Sequence, residues 1–184
     1  IFYTINLVEG KQKMETNTVG YVTPNSIAVK HGIQPGSQII SVNGNPVNYW
    51  DDVRGYVFIE AMGEDVTLKV KTNGAEKVIF IPKSELVDLN ERSFGIFPAQ
   101  MEPMIQQVAE TGPAKDVGLQ KGDVITEANG NPITHSQQFV DIIKGNAGKD
   151  IAVKWSRNGS VMNGIVKPAA DSTIGIGIGK YTVT

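Results

Sequence analysis

Few residue types in this chain could carry out catalysis. The 184 residues include no cysteine, which excludes thiol nucleophiles and thiolate metal sites. The two histidines, His31 and His135, do not form the His-Glu-x-x-His pair that holds zinc in many proteases. No Gly-x-Ser-x-Gly turn is present to expose a serine nucleophile. The sequence therefore predicts a chain that is not itself an enzyme and has no catalytic residue, metal ligand or cofactor of its own.

One short stretch has the residue types for binding an anion. In Ser93-Phe94-Gly95-Ile96 a glycine lies between two apolar residues. Glycine lets successive backbone N–H groups converge on an anion such as a peptide carboxylate, and residues from Ile96 onward could offer a strand edge to that peptide. Pro98 limits the length of this edge. The net charge of −2 argues against a nucleic-acid partner.

The elements that would position this stretch occur twice. Residues 32–47 read GIQPGSQIISVNGNPV and residues 118–133 read GLQKGDVITEANGNPI, with a spacing of roughly 85 residues. Each copy predicts a short helix, a hairpin at Asn-Gly, a longer helix and two closing strands. The longer helices are expected at residues 52–61, opened by Asp51, and at residues 137–144, opened by Ser136. This repeat predicts two copies of one small domain.

The predicted fold class is α+β, with two small β-barrel or sandwich domains that each carry one short and one longer helix. The expected segments are an N-terminal approach (1–16), a first domain (17–84), a connection (85–92), a second domain (93–170) and an extended C-terminal tail (171–184). Residues 1–8 are apolar and predict either a first strand or the trimmed end of a membrane helix. The alternating glycine and isoleucine residues of the tail are typical of an extended segment in close backbone contact.

The repeated stretches resemble bacterial PDZ domains, which are circularly permuted relative to animal ones. The resemblance rests on residues 24–28, 32–36 and 39–47 of the first copy and on residues 112–133 of the second. It covers most of the chain. Ser93-Phe94-Gly95-Ile96 is similar to the carboxylate-binding loop of that family and stands just ahead of the second copy. Residues 2–5 lack the glycine, so no such loop is expected for the first copy.

The resemblance implies a peptide groove in the second domain. Its walls would be the carboxylate loop and the longer helix, so that an apolar terminal side chain would meet the following residues: Ser93, Phe94, Gly95, Ile96, Phe139, Val140 and Ile143. Alternatively, the apolar members of this set fill the domain core.

Two PDZ domains in direct tandem resemble the site-2 protease family of intramembrane zinc metalloproteases, of the regulator of sigma-E protease type. The resemblance implies a non-catalytic fragment outside the cytoplasmic membrane, in the periplasm, tethered to a membrane part that holds the zinc. Its expected role is to filter substrates by size and to bind apolar C-termini of membrane proteins already cut once. The alternatives are a freestanding periplasmic peptide-binding adaptor and the PDZ region of a periplasmic trypsin-like serine protease.

Overall fold

The computed structural model describes residues 14–182 and confirms the α+β class. The first half of the chain forms these elements: β1 (Val19–Val22), α1 (Ile27–Lys30), β2 (Gln38–Val42), β3 (Asn45–Pro46), α2 (Trp50–Gly55), a π-helical turn (Tyr56–Glu60), β4 (Val66–Thr72), β5 (Ala75–Ile81), a 3-10 turn (Lys83–Glu85), α3 (Glu91–Phe94) and β6 (Ile96–Pro98). The second half repeats the order: β7 (Met101–Val108), α4 (Pro113–Asp116), β8 (Val124–Ala128), β9 (Asn131–Pro132), α5 (Ser136–Gly145), β10 (Ile151–Arg157), β11 (Ser160–Val166) and β12 (Ile176–Tyr181).

Two separate hydrophobic cores hold these elements. One contains buried apolar residues from Val19 to Ile96, and the other contains those from Ile105 to Ile174. In the first half, β3, β2, β4 and β5 form one antiparallel sheet, and β1 pairs with β6. In the second half, the sheet order is β11, β10, β8, β7 and β12. We refer to β1–β6 as the first domain and to β7–β12 as the second.

The last strand of each domain closes on its first strand. β6 pairs with β1 through Val22 opposite Ile96, and β12 pairs with β7 through Val108 opposite Ile176. The segment expected to begin the second domain at Ser93 therefore completes the first domain, because its apolar side chains pack in the first core. Likewise, the segment expected to be a tail supplies the closing strand of the second domain.

The Asn-Gly turns form hairpins as predicted. Asn43 and Gly44 have φ of 48° and 82°, and Asn129 and Gly130 have φ of 49° and 78°, which is the left-handed backbone that these residue types tolerate. Each asparagine also ties its hairpin to the next strand. The side-chain oxygen of Asn43 accepts from Thr67 N at 2.7 Å, and that of Asn129 accepts from the backbone N of Ala152 at 2.9 Å.

The longer helices begin one or two residues before their predicted starts. α2 begins at Trp50 rather than Asp52, and the Asp52 carboxylate accepts from Tyr49 N at 2.9 Å. α5 begins at Ser136, and its N-cap is His135 rather than the expected Ser136. Imidazole nitrogen is an uncommon cap, so the sequence favours the serine next to it.

The predicted strand or membrane segment at residues 1–8, the approach segment to residue 13 and the sequence at residues 2–5 lie outside the described residues. Across residues 14–182, no helix has the length and apolar character needed to cross a membrane. In the same range, no group of three or more histidine and acidic side chains is arranged to hold a metal ion.

Candidate functional site

The predicted carboxylate loop lies in the first domain, and its N–H groups are already used. Phe94 and Ile96 are buried in the first core, which corrects their assignment to a groove of the second domain. The side chain of Asn90 accepts hydrogen bonds from Arg92 N and Ser93 N, both at 3.0 Å. Phe94 N donates to the Asn90 carbonyl at 2.9 Å, and Gly95 N donates to the Glu91 carbonyl at 2.8 Å. The loop is thus a closed helical turn rather than an open anion nest.

The equivalent loop of the second domain is Thr173-Ile174-Gly175-Ile176. The carbonyl of Gly175 accepts from Ala109 N at 2.8 Å, just as that of Gly95 accepts from Thr23 N at 2.9 Å. Both glycines have positive φ, 78° at Gly175 and 86° at Gly95. The sequence carried the signal for this loop, because a glycine between two isoleucines repeats the pattern at Gly95.

The second loop differs from the first in its free donors. Ile174 and Gly175 precede β12, and neither backbone N–H donates to an acceptor within residues 14–182. Gly175 is partly exposed, whereas Gly95 is buried. Unpaired N–H groups beside a left-handed glycine form a concave donor site for an anion. Within the described residues, this loop therefore has the unpaired donors that the sequence predicted at Ser93–Ile96.

An apolar cavity of about 530 Å³ opens beside this loop, between β12 and α5. We call it the second-domain groove. Ile176 and Ile178 line one wall, and Val140 and Ile143 line the other. Lys144 is the one charged side chain among its lining residues. Within the described chain β12 pairs with β7 on one side only, so its other edge faces the groove and can accept an added strand.

The predicted groove residues are thus divided between three places. Val140 and Ile143 line the second-domain groove, and Ile143 is also part of the second core. Phe139 is fully buried in the second core, which bears out the alternative reading of an apolar core residue. Ser93 and its three neighbours lie in the first domain. Of the three predicted residues on α5, the structure brings only Val140 and Ile143 into the groove.

The first domain has its own cavity, of about 590 Å³, beside α2. We call it the first-domain groove. Phe58, Ile59 and Leu89 give it apolar lining, and its rim carries charged side chains. Arg54 on α2 forms an ion pair with Glu91 at the start of α3 across this rim. Its electrostatic character is therefore different from that of the second-domain groove.

Side chains of the first domain contact α5 of the second domain at its N-cap and at Asp141. The Tyr21 hydroxyl donates to Asp141 at 3.1 Å, and burial raises the pKa of Tyr21, assisted by the negative charge of Asp141. The Tyr21 ring stacks on the ring of His135 at 5.4 Å between centroids. Arg92 lies 3.6 Å from the other carboxylate oxygen of Asp141. These contacts fix the helix that forms one wall of the second-domain groove against the first domain.

His135 contributes to this junction as a neutral imidazole. Its Nδ1 accepts from Gln137 N at 3.0 Å, so the ring proton is on Nε2, which donates to the Pro98 carbonyl at 2.9 Å. Burial lowers the pKa of His135, and the Pro98 carbonyl and the charge of Asp141 oppose this shift only in part. A proton on Nδ1 would remove the cap of α5.

Acidification is therefore expected to destabilise the junction. Because the pKa of His135 is lower in the folded protein than its ordinary value of about 6.5, the unfolded chain binds more protons below that pH and stability falls. His135→Asn is the matched control, since asparagine can cap a helix but does not titrate. Urea unfolding at about pH 7.5 and about pH 5.5 should show a larger loss for the unmodified protein than for the variant. Equal losses in both proteins would contradict this role of His135.

Comparisons with known proteins agree with the repeated fold. Two family models described as PDZ domain match residues 2–71 and residues 85–167. The chain is 30% identical over 170 residues to the regulator of sigma-E protease RseP of Salmonella typhimurium, covering 85% of this chain and 37% of that protein. It is 30% identical over 174 residues to RseP of Escherichia coli K12, covering 88% of this chain and 38% of that protein.

The chain is also similar to a second class of protein. It is 29% identical over 136 residues to the periplasmic serine endoprotease DegP of Salmonella typhimurium, covering 68% of this chain and 29% of that protein. The chain spans a little more than a third of the length of the RseP relatives that it matches. With two PDZ matches and two repeated domains, the chain belongs to the PDZ family, as a tandem pair homologous to part of the regulator of sigma-E proteases.

Proposed function

We propose that the second-domain groove binds the C-terminus of an extended peptide. The peptide adds as a strand to the free edge of β12, its last side chain enters the apolar groove, and its carboxylate meets the loop before β12. The observation that carries this proposal is the pair of free N–H groups at Ile174 and Gly175, beside a groove whose one charged lining residue is Lys144. Backbone donors and a cation both favour a carboxylate at that end.

We further propose that the tandem is the non-catalytic part of a membrane-tethered zinc metalloprotease of the site-2 type, on the periplasmic side. The identity of 30% to RseP over 85% of the chain supports this parent. In that setting the two domains would keep intact membrane-protein substrates away from the zinc. They would admit a remnant that an earlier cut has left with a new, apolar C-terminus.

A periplasmic serine protease is the second candidate parent, favoured by the identity of 29% to DegP. The groove would then bind the same class of peptide but deliver it to a serine nucleophile elsewhere in the parent protein. A freestanding adaptor would use the groove without any catalytic domain. The remainder of the parent protein distinguishes the three, because a membrane-embedded zinc half, a trypsin-like half and neither half are mutually exclusive.

The proposal is tested with peptides that differ only in their last group. A free-acid peptide ending in an apolar residue is expected to bind the tandem, and its amidated twin is expected to bind about tenfold more weakly or worse, since hydrogen bonds to a charged group contribute about 1.5–3 kcal/mol. Fluorescence anisotropy of labelled peptides measures both affinities. Equal binding of acid and amide would refute a carboxylate site.

Two charge variants on α5 locate the peptide. Val140→Asp introduces a carboxylate into the groove and is expected to abolish binding of the free acid, because it repels the peptide carboxylate and lowers the apolar character of the wall. Gln138→Glu adds the same charge outside the groove. It keeps the acceptor oxygen for Thr134 N and loses only an exposed bond from Gln138 Nε2 to the Pro132 carbonyl, so it should bind as the unmodified protein does. In the full-length parent, the first variant should also slow cleavage of a substrate trimmed to an apolar end.

A further inference from the structure

A third cavity lies between the domains and shares lining residues with both grooves. This interdomain cavity has a volume of about 210 Å³. Val140 and Ile178 line both it and the second-domain groove. Arg54 and Glu91 line both it and the first-domain groove. The lining residues of the three cavities therefore overlap along one path, which runs from the loop before β12 to the charged rim of the first-domain groove.

The direction in which a peptide would follow this path is set by β12. The carboxylate lies beside Gly175 at the start of the strand, and a peptide added antiparallel extends upstream along it. Ile178 lies three positions after Gly175. At ~3.3 Å per residue, about the fourth residue from the peptide C-terminus reaches Ile178, and residues upstream of it enter the interdomain cavity. The residues of α5 indicate the same direction. Lys144, near the end of the helix, lines the second-domain groove, whereas Ser136 and Gln137, at its start, line the interdomain cavity.

The charges at the two ends of the path have opposite signs. Lys144 is the one charged residue that lines the second-domain groove, whereas the first-domain groove is lined by Asp51, Arg54 and Glu91. Arg54 is already paired with Glu91, and Asp51 makes no ion pair within residues 14–182. Asp51 is exposed, so its carboxylate is accessible from the groove. A complementary ligand is negative at its C-terminus and positive several residues upstream.

We propose that a single extended polypeptide occupies both domains, with its apolar C-terminal residue in the second-domain groove and an upstream lysine or arginine against Asp51. This inference rests on the proposed function of the second-domain groove and adds the class of ligand, a C-terminal segment of about eight residues or more with one basic side chain near its upstream end. Trp50 and Phe97 provide an apolar wall where the peptide crosses from one domain to the other. The Arg54–Glu91 pair lies at the crossing, and as a half-exposed ion pair it contributes little stability, so it can rearrange as the peptide passes.

The test uses the whole tandem and free-acid peptides that share the same four apolar C-terminal residues. One peptide has only these four residues. The others have about ten residues, with a single lysine moved through positions about five to nine from the C-terminus and alanine elsewhere upstream. The lysine peptides are expected to bind best at one or two adjacent positions, about two- to fivefold tighter than an all-alanine peptide, as expected for one partly exposed ion pair.

Asp51→Asn should remove this preference for lysine and leave the affinity of the four-residue peptide unchanged. Glu60→Gln is the matched control, because Glu60 is an exposed acidic residue at the end of the π-helical turn that follows α2, and it lines none of these cavities. It removes the same charge and should leave the lysine preference intact.

The outcomes separate this inference from the function on which it rests. If no free-acid peptide of either length binds, the proposed function fails and this inference fails with it. If the four-residue peptide binds and neither the lysine position nor Asp51→Asn changes the affinity of the longer ones, the two-domain ligand alone is overturned. A preference for lysine that Asp51→Asn and Glu60→Gln reduce equally would also overturn it, because it would report only the general charge of the surface.

Discussion

Replacing Gly95 with alanine is expected to lower the free energy of unfolding of the first domain by about 3 kcal/mol. Gly95 has φ of 86°, a conformation in which a side chain is strained. Its position also leaves no room, because an added Cβ would overlap the Cβ and Oγ of Ser26, the N-cap of α1. Backbone strain and steric overlap both destabilise the variant. Because β6 begins at the next residue, a shift of the backbone at Gly95 would also disturb the closing strand.

The measurement can follow each domain separately, because Trp50 is buried in the first core and Trp155 in the second. In a Trp155→Phe background, Trp50 fluorescence reports urea unfolding of the first domain. Replacing Trp155 with phenylalanine removes no hydrogen bond, because the indole N–H of Trp155 is buried without a partner.

Gly175→Ala is the matched control in the second domain. There the nearest side-chain atom to an added Cβ is Ala109 Cβ at 3.2 Å, so the expected loss is about 1 kcal/mol, mainly from the positive φ. Similar losses at Gly95 and Gly175 would contradict the tighter packing of the first loop.

Asp123→Ala is expected to destabilise the second domain by about 3 kcal/mol, because it removes a buried carboxylate that accepts three hydrogen bonds, two of them from a charged group. The Asp123 side chain is 1% exposed and accepts hydrogen bonds from Arg157 Nε at 2.7 Å, from Arg157 Nη2 at 2.8 Å and from Gln120 N at 2.8 Å. The same carboxylate raises the pKa of Arg157. Trp155 fluorescence during urea unfolding measures the loss.

Two comparisons make this prediction specific. Glu127 on β8 pairs with Lys154 on β10 in the same pair of strands, but both are more exposed, so Glu127→Ala should cost less than about 1 kcal/mol. The first domain has Ser37 bonded to Thr72 at 2.7 Å in the equivalent place. The double variant Asp123→Ser, Arg157→Thr should therefore be more stable than Asp123→Ala, and a less stable double variant would show that the charges themselves are required.

The duplicated fold could be predicted from the sequence because its strongest signals are local. An Asn-Gly turn needs only two adjacent residues with positive φ, and Asn43 and Asn129 report the same hairpin in both copies. The long helices were predicted from apolar spacing over a few turns. The N-cap of α5 was harder to predict. His135 accepts from Gln137 N, and its ring is oriented for this by a second bond to the distant Pro98 carbonyl, which the neighbouring sequence does not encode.

The candidate binding loop has the sequence pattern that was expected, but it lies in a different place in the chain from the stretch Ser93–Ile96. A glycine between two apolar residues looks the same whether it ends one domain or begins the next. The domain to which such a segment belongs is decided by pairing between strands that are far apart in the chain, Val22 with Ile96 and Val108 with Ile176. Whether the N–H groups are free depends on tertiary contacts too, because Asn90 closes the first loop into a turn. Local pattern therefore identified the chemistry but could not say where it is available.

Closing each domain with its own last strand has a consequence for synthesis on the ribosome. Nascent chains emerge from their N-terminus, and pairings between distant segments must wait for the later one. β1 leaves the ribosome early but has no partner until β6 appears some seventy residues later, and the helix and sheet between them form around an open seam. Until β6 is synthesised, the apolar residues that it will cover in the first domain stay exposed. A chaperone that binds exposed apolar surface would therefore recognise the first domain best before β6 pairs with β1.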